Sequence, residues 1–203
     1  MSVTAHSSLE HAERDAHPVA VILIDVINTM DFPDSELIYE AALTAAPHIA
    51  TLKQQAKAQG IPVIYANDNF GRWRSNFPGL VDSCLQDDVP GKPIVEQLKP
   101  DPDDYFVLKP SYSGFYGTPL ELLLRALGTR ALVLAGFAGN MCVQFTADEA
   151  YMRGYKLAIP RDCTASNTQG DTDCMLHHVG AVLGADTTPA AELCFESLTH
   201  GDP

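Results

Sequence analysis

The sequence predicts a doubly wound, three-layer α/β/α fold with a mostly parallel sheet of about six strands. Short apolar runs rich in β-branched residues alternate with stretches whose apolar residues recur at helical spacing. The first run, Val19–Ile24, is continuously apolar, as expected of a strand buried on both faces of a parallel sheet. Repeated strand–helix–strand units imply right-handed crossovers, which place helices on both faces of one sheet.

The first long helix is predicted over Glu40–Gln59, where apolar residues keep helical spacing until Gly60 ends the pattern. Pro47 lies inside this stretch, so we expect a kink or a break there. Short apolar runs at Ile61–Ala66 and Tyr105–Leu108 follow as the second and third strands. Together with the first strand they form one half of the predicted sheet.

The second half of the chain continues the alternation. Thr118 to Glu121 read as a capping box with proline at the first helical position, so a helix begins there and Gly128 closes it after Leu127. The remaining elements are strand Ala131–Ala135, helix Asn140–Arg153, strand Tyr155–Ile159, helix Asp171–Leu183, short strand Ala185–Thr187 and helix Pro189–Leu198. The sheet therefore has six predicted strands.

The segment Asn67–Asp104 lacks periodicity and is rich in Gly, Pro, Asn and Asp. It follows a strand and is far longer than an ordinary connection, so we expect it to cover a site. The length of 203 residues suits one domain, which we place at residues 18–203, with residues 1–17 as a flexible polar tail.

The charge balance excludes several classes of partner. With 13 Lys and Arg against 26 Asp and Glu, the net charge is −13, which argues against binding nucleic acid or an anionic membrane. The longest apolar runs are far shorter than the roughly 20 residues of a membrane helix. The N-terminus has no apolar signal-peptide core, and the 5 cysteines match no zinc spacing, so we expect a cytoplasmic protein with reduced thiols.

Three chemically distinctive residues follow predicted strands, at the edge where such sheets bind ligands. Asp25 ends the first strand, Lys109 ends the third, and Cys142 lies a few residues past the fourth. Each has an ordinary alternative: a strand terminator, a lysine with a buried stem and solvated head, or a small core cysteine. Cys142, however, falls in the first turn of a helix, where the helix dipole favours a thiolate that iodoacetamide alkylates below pH 8.

Because parallel strands end at one edge, the Asp, the Lys and the Cys can converge into a nucleophilic site. The carboxylate would take the thiol proton or hold the cation, and the ammonium would stabilise the thiolate. Backbone N–H groups at the helix start would hold an oxyanion.

Five stretches, spread from about Val19 to Leu198, together resemble one family, the isochorismatase-like cysteine hydrolases. This group includes nicotinamidases, N-carbamoylsarcosine amidohydrolase and ureidoacrylate amidohydrolase. The matching stretches are the strand ending in Asp25 with Asn28 after it, Val63–Gly71, Lys109–Phe115, Gly136–Val143 and Arg161–Ser166.

The resemblance implies a catalytic triad of Asp25, Lys109 and Cys142, and an oxyanion hole made by the backbone N–H groups of Ala138 and Cys142. It also maps a cis peptide onto Phe137–Ala138. The implied reaction is attack of the Cys142 thiolate on a carbonyl, loss of ammonia or an amine, and hydrolysis of the thioester by water. Relatives are commonly oligomeric, so the resemblance implies a dimer or tetramer.

The sequence departs from the family pattern at three places. Ile27 stands where many relatives have Gln, and Gly139 stands where they commonly have Thr, which raises the question of what keeps the oxyanion turn rigid. Nicotinamidases bind a metal through Asp-x-His after the second strand, whereas this chain has Asp68-Asn69-Phe70 and no His between His48 and His177. We therefore predict no metal and no cofactor, and a substrate other than nicotinamide.

Aromatic residues near the predicted site are candidates for contact with a small substrate: Phe70, Trp73, Tyr112, Phe115 and Phe137. For Phe70 and Trp73 the alternative is that they pack the long loop down. Arg72 and Arg74 flank Trp73 and would suit a substrate carboxylate or, equally, surface ion pairs.

Retention of Cys142 favours hydrolysis of an amide, a carbamoyl group or a related C–N bond. The alternatives are an isochorismatase-type vinyl ether hydrolase and a catalytically degenerate member that acts in binding or assembly. A nucleotide-binding fold is excluded, because the first strand is followed by Asp25-Val26-Ile27-Asn28 and not by a glycine-rich phosphate loop.

Overall fold

The computed structural model describes residues 16–71 and 76–199, and these form one parallel sheet covered by helices on both faces. The predicted tail, residues 1–17, lies almost wholly outside the described residues. The sheet has the order β3-β2-β1-β4-β5, with β6 paired to β4, and every pairing is parallel. The predicted fold class is confirmed. The strands are β1 Val19–Ile24, β2 Val63–Asp68, β3 Tyr105–Lys109, β4 Ala131–Phe137, β5 Lys156–Ala158 and β6 Thr164–Ala165.

Strands β1 and β4 form the centre of the sheet, and every residue in both is buried. Their side chains alternate between two hydrophobic cores, so that Val21 and Leu23 enter one core while Ile22 and Ile24 enter the other. This alternation on two buried faces explains why the strands read as unbroken apolar runs.

The helices are α1 Glu36–Ala58, α2 Phe77–Cys84, α3 Lys92–Gln97, α4 Leu120–Ala126, α5 Gln144–Met152 and α6 Gln169–Ala181. Helices α1, α2 and α3 cover the first core, and α4, α5 and α6 cover the second. None of the helices in the described part of the chain is long and apolar enough to cross a membrane.

Several predicted elements need correction. Helix α1 begins four residues earlier than predicted and runs without a break through Pro47. The sixth strand is Thr164–Ala165, whereas the predicted strand Ala185–Thr187 contributes a single bridge from Asp186 to Ala158. The predicted last helix is two 3₁₀ turns separated by extended residues, because leucines and phenylalanine there pack at irregular spacing.

The capping box before α4 is only half formed. The Thr118 hydroxyl accepts a hydrogen bond from the Leu120 N–H, 3.2 Å away. Glu121 instead pairs with Arg125 and Arg153, so its carboxylate is engaged on the outer surface of the helix layer. The ion pair with Arg153 links α4 to the end of α5.

The long segment after β2 contains α2 and α3, which the sequence did not reveal. Helix α2 is capped by the Asn76 side chain, whose oxygen accepts a hydrogen bond from the Gly79 N–H at 2.8 Å. The segment is anchored near the start of β3, where buried Asp104 binds both Lys53 and Lys57 of α1. Its path therefore depends on tertiary contacts more than on its own periodicity.

Candidate active site

The side chains of Asp25, Lys109 and Cys142 meet at the carboxyl edge of the sheet. The Lys109 ammonium lies 2.7 Å from Asp25 Oδ2 and donates to Cys142 Sγ at 3.5 Å. The thiol also forms a hydrogen bond with the Asp25 carboxylate. The sequence placed each residue just past a strand, and the parallel sheet brings these strand ends together.

Asp25 is held by the backbone at the ends of β1 and β2. Its φ is +52°, a left-handed conformation that costs a non-glycine residue energy. Its N–H donates to the Ala66 carbonyl at 3.0 Å, and its Oδ1 accepts the Asp68 N–H at 2.7 Å. These two contacts fix the carboxylate so that its other oxygen faces Lys109.

Lys109 is completely buried at the end of β3, which is unusual for an ammonium. It also donates to the Ser111 carbonyl at 3.1 Å and lies 3.9 Å from the Asp68 carboxylate. Burial by itself lowers the pKa of Lys109, whereas the Asp25 charge raises it, and the net direction is upward. The lysine therefore remains charged across the physiological pH range.

Burial raises the pKa of the Asp25 carboxyl, although the Lys109 charge and the hydrogen bonds from Lys109, Cys142 and the Asp68 backbone pull it down. A carboxylate with a raised pKa accepts a proton more readily than an exposed one. Asp25 is thus suited to act as a general base towards the neighbouring thiol.

The resting state of Cys142 differs from the sequence-based expectation. Burial and the nearby Asp25 charge raise the pKa of its thiol to about 12, and the opposing Lys109 charge is too weak to reverse this. This direction is opposite to the thiolate that the helix start was expected to favour, because burial beside a carboxylate acts against the helix dipole. Alkylation of Cys142 below pH 8 stays a prediction. The resting site is a neutral thiol against an Asp–Lys ion pair.

The turn between β4 and α5 shapes the backbone around Cys142. Gly136 has φ +125°, and a Cβ there would lie 2.0 Å from the Ile24 carbonyl oxygen, so only glycine fits. The Phe137–Ala138 peptide is cis, at the position that the resemblance implied. Residues Gly139–Val143 form a π-helical turn that leads into α5 and contains Cys142. Such turns are frequent at functional sites.

Helix α5 is tied to the loop that follows Lys109. The Thr146 hydroxyl, fully buried, donates to the Cys142 carbonyl at 2.7 Å and accepts the Gly114 N–H at 3.0 Å. The nucleophile and the lysine loop are thereby held in one hydrogen-bonded unit. Thr146 was not predicted as a site residue, although its position four residues after Cys142 on a helix places the two on one face.

The aromatic residues predicted to contact substrate separate into two groups. Phe70 and Tyr112 are 43% and 52% exposed, and each lies two or three residues from Asp68 or Lys109. Phe115 and Phe137 are 5% and 3% exposed and belong to the cores, so their rings pack away from solvent. Trp73, Arg72 and Arg74 lie outside the described residues.

Phe115 packs in the second core, and its predicted contact with substrate stays a prediction. Its ring packs against Arg153, whose guanidinium lies 4.7 Å from the ring centre, and against Tyr155. Arg153 follows the last turn of α5, whereas Cys142 precedes its first turn. Phe115 therefore contacts the opposite end of α5 from the nucleophile.

Two residues at the edge of the site were missed. Asp68 ends β2 and lies beside Lys109, so the strand-end test applied to the other residues would have found it. Phe145 stacks on Tyr112 with ring centres 5.5 Å apart. Its ring is 47% exposed, and it follows Cys142 by three residues on the same helical stretch.

The family model for the isochorismatase domain matches residues 19–191, so the chain belongs to the isochorismatase family. The uncharacterised isochorismatase family protein YaaI of Bacillus subtilis (strain 168) is 37% identical over 174 residues, which cover 86% of this chain and 95% of that protein. The ureidoacrylate amidohydrolase RutB of Azorhizobium caulinodans is 30% identical over 170 residues, 71% of this chain and 75% of that enzyme.

Solved structures show the same fold. An isochorismatase family protein from Desulfovibrio vulgaris has a TM-score of 0.72 at 26% identity, covering 91% of this chain and 100% of that chain. A cysteine hydrolase from Pseudomonas syringae pv. phaseolicola has a TM-score of 0.68 at 25% identity, covering 90% and 91%. Relatives of this chain thus include amidohydrolases and cysteine hydrolases.

Proposed function

We propose that this protein is a cysteine hydrolase that cleaves a small amide, a carbamoyl compound or a related C–N bond through a thioester. The observation that carries the proposal is the placement of Lys109 Nζ, 2.7 Å from Asp25 Oδ2 and 3.5 Å from Cys142 Sγ. A base, a cation and a sulfur nucleophile in mutual contact are the groups that covalent acyl transfer needs. The amidohydrolases among the relatives support the same class of reaction.

The first half-reaction transfers the thiol proton of Cys142 to Asp25 as the sulfur attacks the substrate carbonyl. Lys109 stays protonated and stabilises the negative charge as it moves from Asp25 to sulfur. The carbonyl oxygen becomes an oxyanion held by the N–H groups of Ala138 and Cys142. As the intermediate collapses, the C–N bond breaks and Asp25 passes its proton to the leaving nitrogen, which departs as ammonia or an amine.

The second half-reaction hydrolyses the thioester. Asp25 takes a proton from water as the water oxygen attacks the carbonyl, and the same oxyanion turn holds the second intermediate. The C–S bond then breaks, the carboxylic or carbamic acid leaves, and the proton on Asp25 returns to the Cys142 sulfur. Phe70, Tyr112 and Phe145 would contact the rest of the substrate, because they are exposed and follow Asp68, Lys109 and Cys142 by two or three residues.

We also propose that the reaction needs no metal. After β2, the carboxylate of Asp68 is followed by Asn69 and Phe70, and it is already engaged by the Phe70 N–H and lies 3.9 Å from the Lys109 ammonium. This donor set lacks the histidine of the nicotinamidase pattern and does not fit its metal. Prolonged dialysis against a chelator should leave the hydrolysis rate unchanged, whereas a loss that zinc or manganese restores would contradict this.

A cytoplasmic location and assembly as a dimer or tetramer are further parts of the proposal. All five cysteines are free thiols, which supports a reducing compartment. Large apolar side chains such as Leu122 and Met152 are mostly exposed, which supports contact with another subunit. Light scattering after size-exclusion chromatography tests the assembly, and a monomer at micromolar concentration would contradict it.

The direct test is a panel of small primary amides, ureas and N-carbamoyl amino acids, assayed for ammonia release. The wild type should release ammonia from at least one member, and Cys142→Ala should reduce that rate by about 10³-fold or more while keeping the same thermal transition. Cys84→Ala is the matched control, because Cys84 is a buried free thiol at the end of α2 and should be dispensable. Ammonia release that survives Cys142→Ala would overturn the proposal, as would a wild type that hydrolyses nothing.

A further inference from the structure

The turn between β4 and α5 receives hydrogen bonds from a neighbouring strand as well as from its own backbone. The Thr164 hydroxyl of β6 donates to the Gly136 carbonyl at 3.0 Å. The Ser166 hydroxyl, in a side chain that is 1% exposed, accepts the Asn140 N–H at 3.1 Å. These two hydrogen bonds hold the turn at Gly136 and Asn140, on either side of Ala138.

Strand β6 is itself fixed in place. It pairs with β4 in the register Gly136 to Thr164 and Phe137 to Ala165. Beyond the strand, the Ser166 N–H donates to the Thr172 hydroxyl of α6 at 3.2 Å. The two hydroxyls are therefore presented from a rigid edge, so they can hold the turn against displacement.

Gly139 makes room for this arrangement. A Cβ at Gly139 would lie 2.8 Å from the Thr164 Oγ1 and 2.8 Å from the Ser166 Oγ, closer than such atoms can approach. Both oxygens thus occupy the volume that any side chain at this position would need. The two hydroxyls can therefore occupy these positions only because Gly139 has no side chain.

Resting on the proposed function, we infer that Thr164 and Ser166 are positioning residues that hold the oxyanion turn in its catalytic geometry. The turn carries the N–H groups of Ala138 and Cys142, and their distance to the oxyanion decides how much they stabilise it. A shift of about 1 Å in such a donor costs on the order of 10²-fold in rate. The hydrogen bonds of the two hydroxyls go to the backbone of the turn and not to the triad side chains.

The first test compares Thr164→Val, which removes the hydroxyl and keeps the shape, with Thr164→Ser, which keeps the hydroxyl. Thr164→Val and Ser166→Ala should each lower kcat by about 10-fold with KM within about twofold, whereas Thr164→Ser should stay within about twofold of wild type. Alkylation of Cys142 by iodoacetamide should be unchanged in all three, because displacement of iodide forms no oxyanion. A fall in alkylation parallel to kcat, or unchanged kcat in both variants, would overturn the inference.

The second test measures coupling to Gly139. Gly139→Ala should lower kcat by a larger factor in the wild-type background than in a protein carrying Thr164→Ala and Ser166→Ala, where both oxygens are gone. Equal factors in the two backgrounds would contradict the shared-volume argument. Wild type and Cys142→Ala are measured in the same assay. If Cys142→Ala keeps its activity, the proposed function fails. If Cys142→Ala is inactive but the hydroxyl variants behave as wild type, only this inference fails.

Discussion

Asp25 and Lys109 form an ion pair of 2.7 Å in which both side chains are almost entirely removed from water. A buried pair of this kind gains little net stability, because desolvation of the two charges offsets their attraction. Its value here is chemical: the lysine keeps the carboxylate ionised enough to act as a base, and burial keeps that base strong. The neutral thiol of Cys142 lies against both partners.

The acidic limb of the pH profile should report Asp25. Asp25 must be ionised to accept the thiol proton, so kcat/KM should fall as the pH drops through its pKa. Because burial raises that pKa, the limb should lie above 3.8, the ordinary value for aspartate. Initial rates between pH 3 and pH 10 test this, and a rate that becomes half-maximal only at pH 3.8 or below would contradict it.

On the alkaline side of the pH profile, kcat/KM should stay constant up to pH 10. Burial lowers the pKa of Lys109, but the net direction is above 10.5, with the Asp25 charge as the largest raising cause, so the ammonium keeps its proton through this range. Deprotonation of Lys109 therefore cannot lower the rate near neutrality. A descending limb with an apparent pKa between 7 and 9 would indicate a different catalytic acid.

Lys109→Met should destabilise the fold by about 3–5 kcal/mol, since it leaves the Asp25 carboxylate buried without its counter-ion. The folded-state pKa of Asp25 then rises further above the unfolded value, so the penalty is largest above that pKa and shrinks as the pH falls and Asp25 becomes protonated. Urea unfolding of variant and wild type at pH 7 and pH 4.5 measures this difference.

The double variant Asp25→Asn with Lys109→Met serves as the control for that measurement. It removes both charges and should recover much of the stability lost in Lys109→Met. A double variant as unstable as the single one would show that the loss came from the shape of the lysine side chain and not from the orphaned charge.

Phe145→Ala should raise KM by about 3- to 10-fold with a smaller effect on kcat, because the ring stacks on Tyr112 and, in the proposed function, contacts the non-reacting part of the substrate. Tyr151→Ala is a matched control, since Tyr151 is a half-exposed aromatic residue near the other end of the same helix. Steady-state kinetics should leave Tyr151→Ala at wild-type values. Equal changes in both variants would show a general effect on α5.

The sequence predicts the site's three chemical groups well because each follows an apolar run that can be recognised by itself. The short helices α2 and α3, of 8 and 6 residues, escape such recognition since packing in the first core stabilises them more than their own pattern does. Strand β6 has only two residues, too few for any periodicity.

Some properties of the site residues depend on tertiary contacts that a sequence does not show. Phe115 carries no sign in the sequence of whether its ring turns to the site or to the core, and a contact with Arg153 decides it. The thiol pKa of Cys142 depends on burial and on a carboxylate more than 100 residues away in the sequence. The hydrogen bonds from Thr164 and Ser166 to the turn likewise form only when β6 lies beside it.

The measurement that tests the account most directly is a pair of readouts on Asp25→Asn. The substitution removes the base, so hydrolysis of the panel substrate should fall by about 10³-fold or more. It also removes the negative charge that raises the thiol pKa and leaves Lys109 beside the sulfur, so alkylation of Cys142 by iodoacetamide at pH 7 should become faster than in wild type.

These opposite changes follow only if Asp25 raises the pKa of the resting thiol and also accepts the thiol proton during catalysis. Peptide mass spectrometry of the alkylated protein gives the rate at Cys142 separately from Cys174 and Cys194, which are exposed and provide an internal reference. Faster alkylation together with lost hydrolysis is the predicted result. Slower or unchanged alkylation with hydrolysis retained would contradict the central claim.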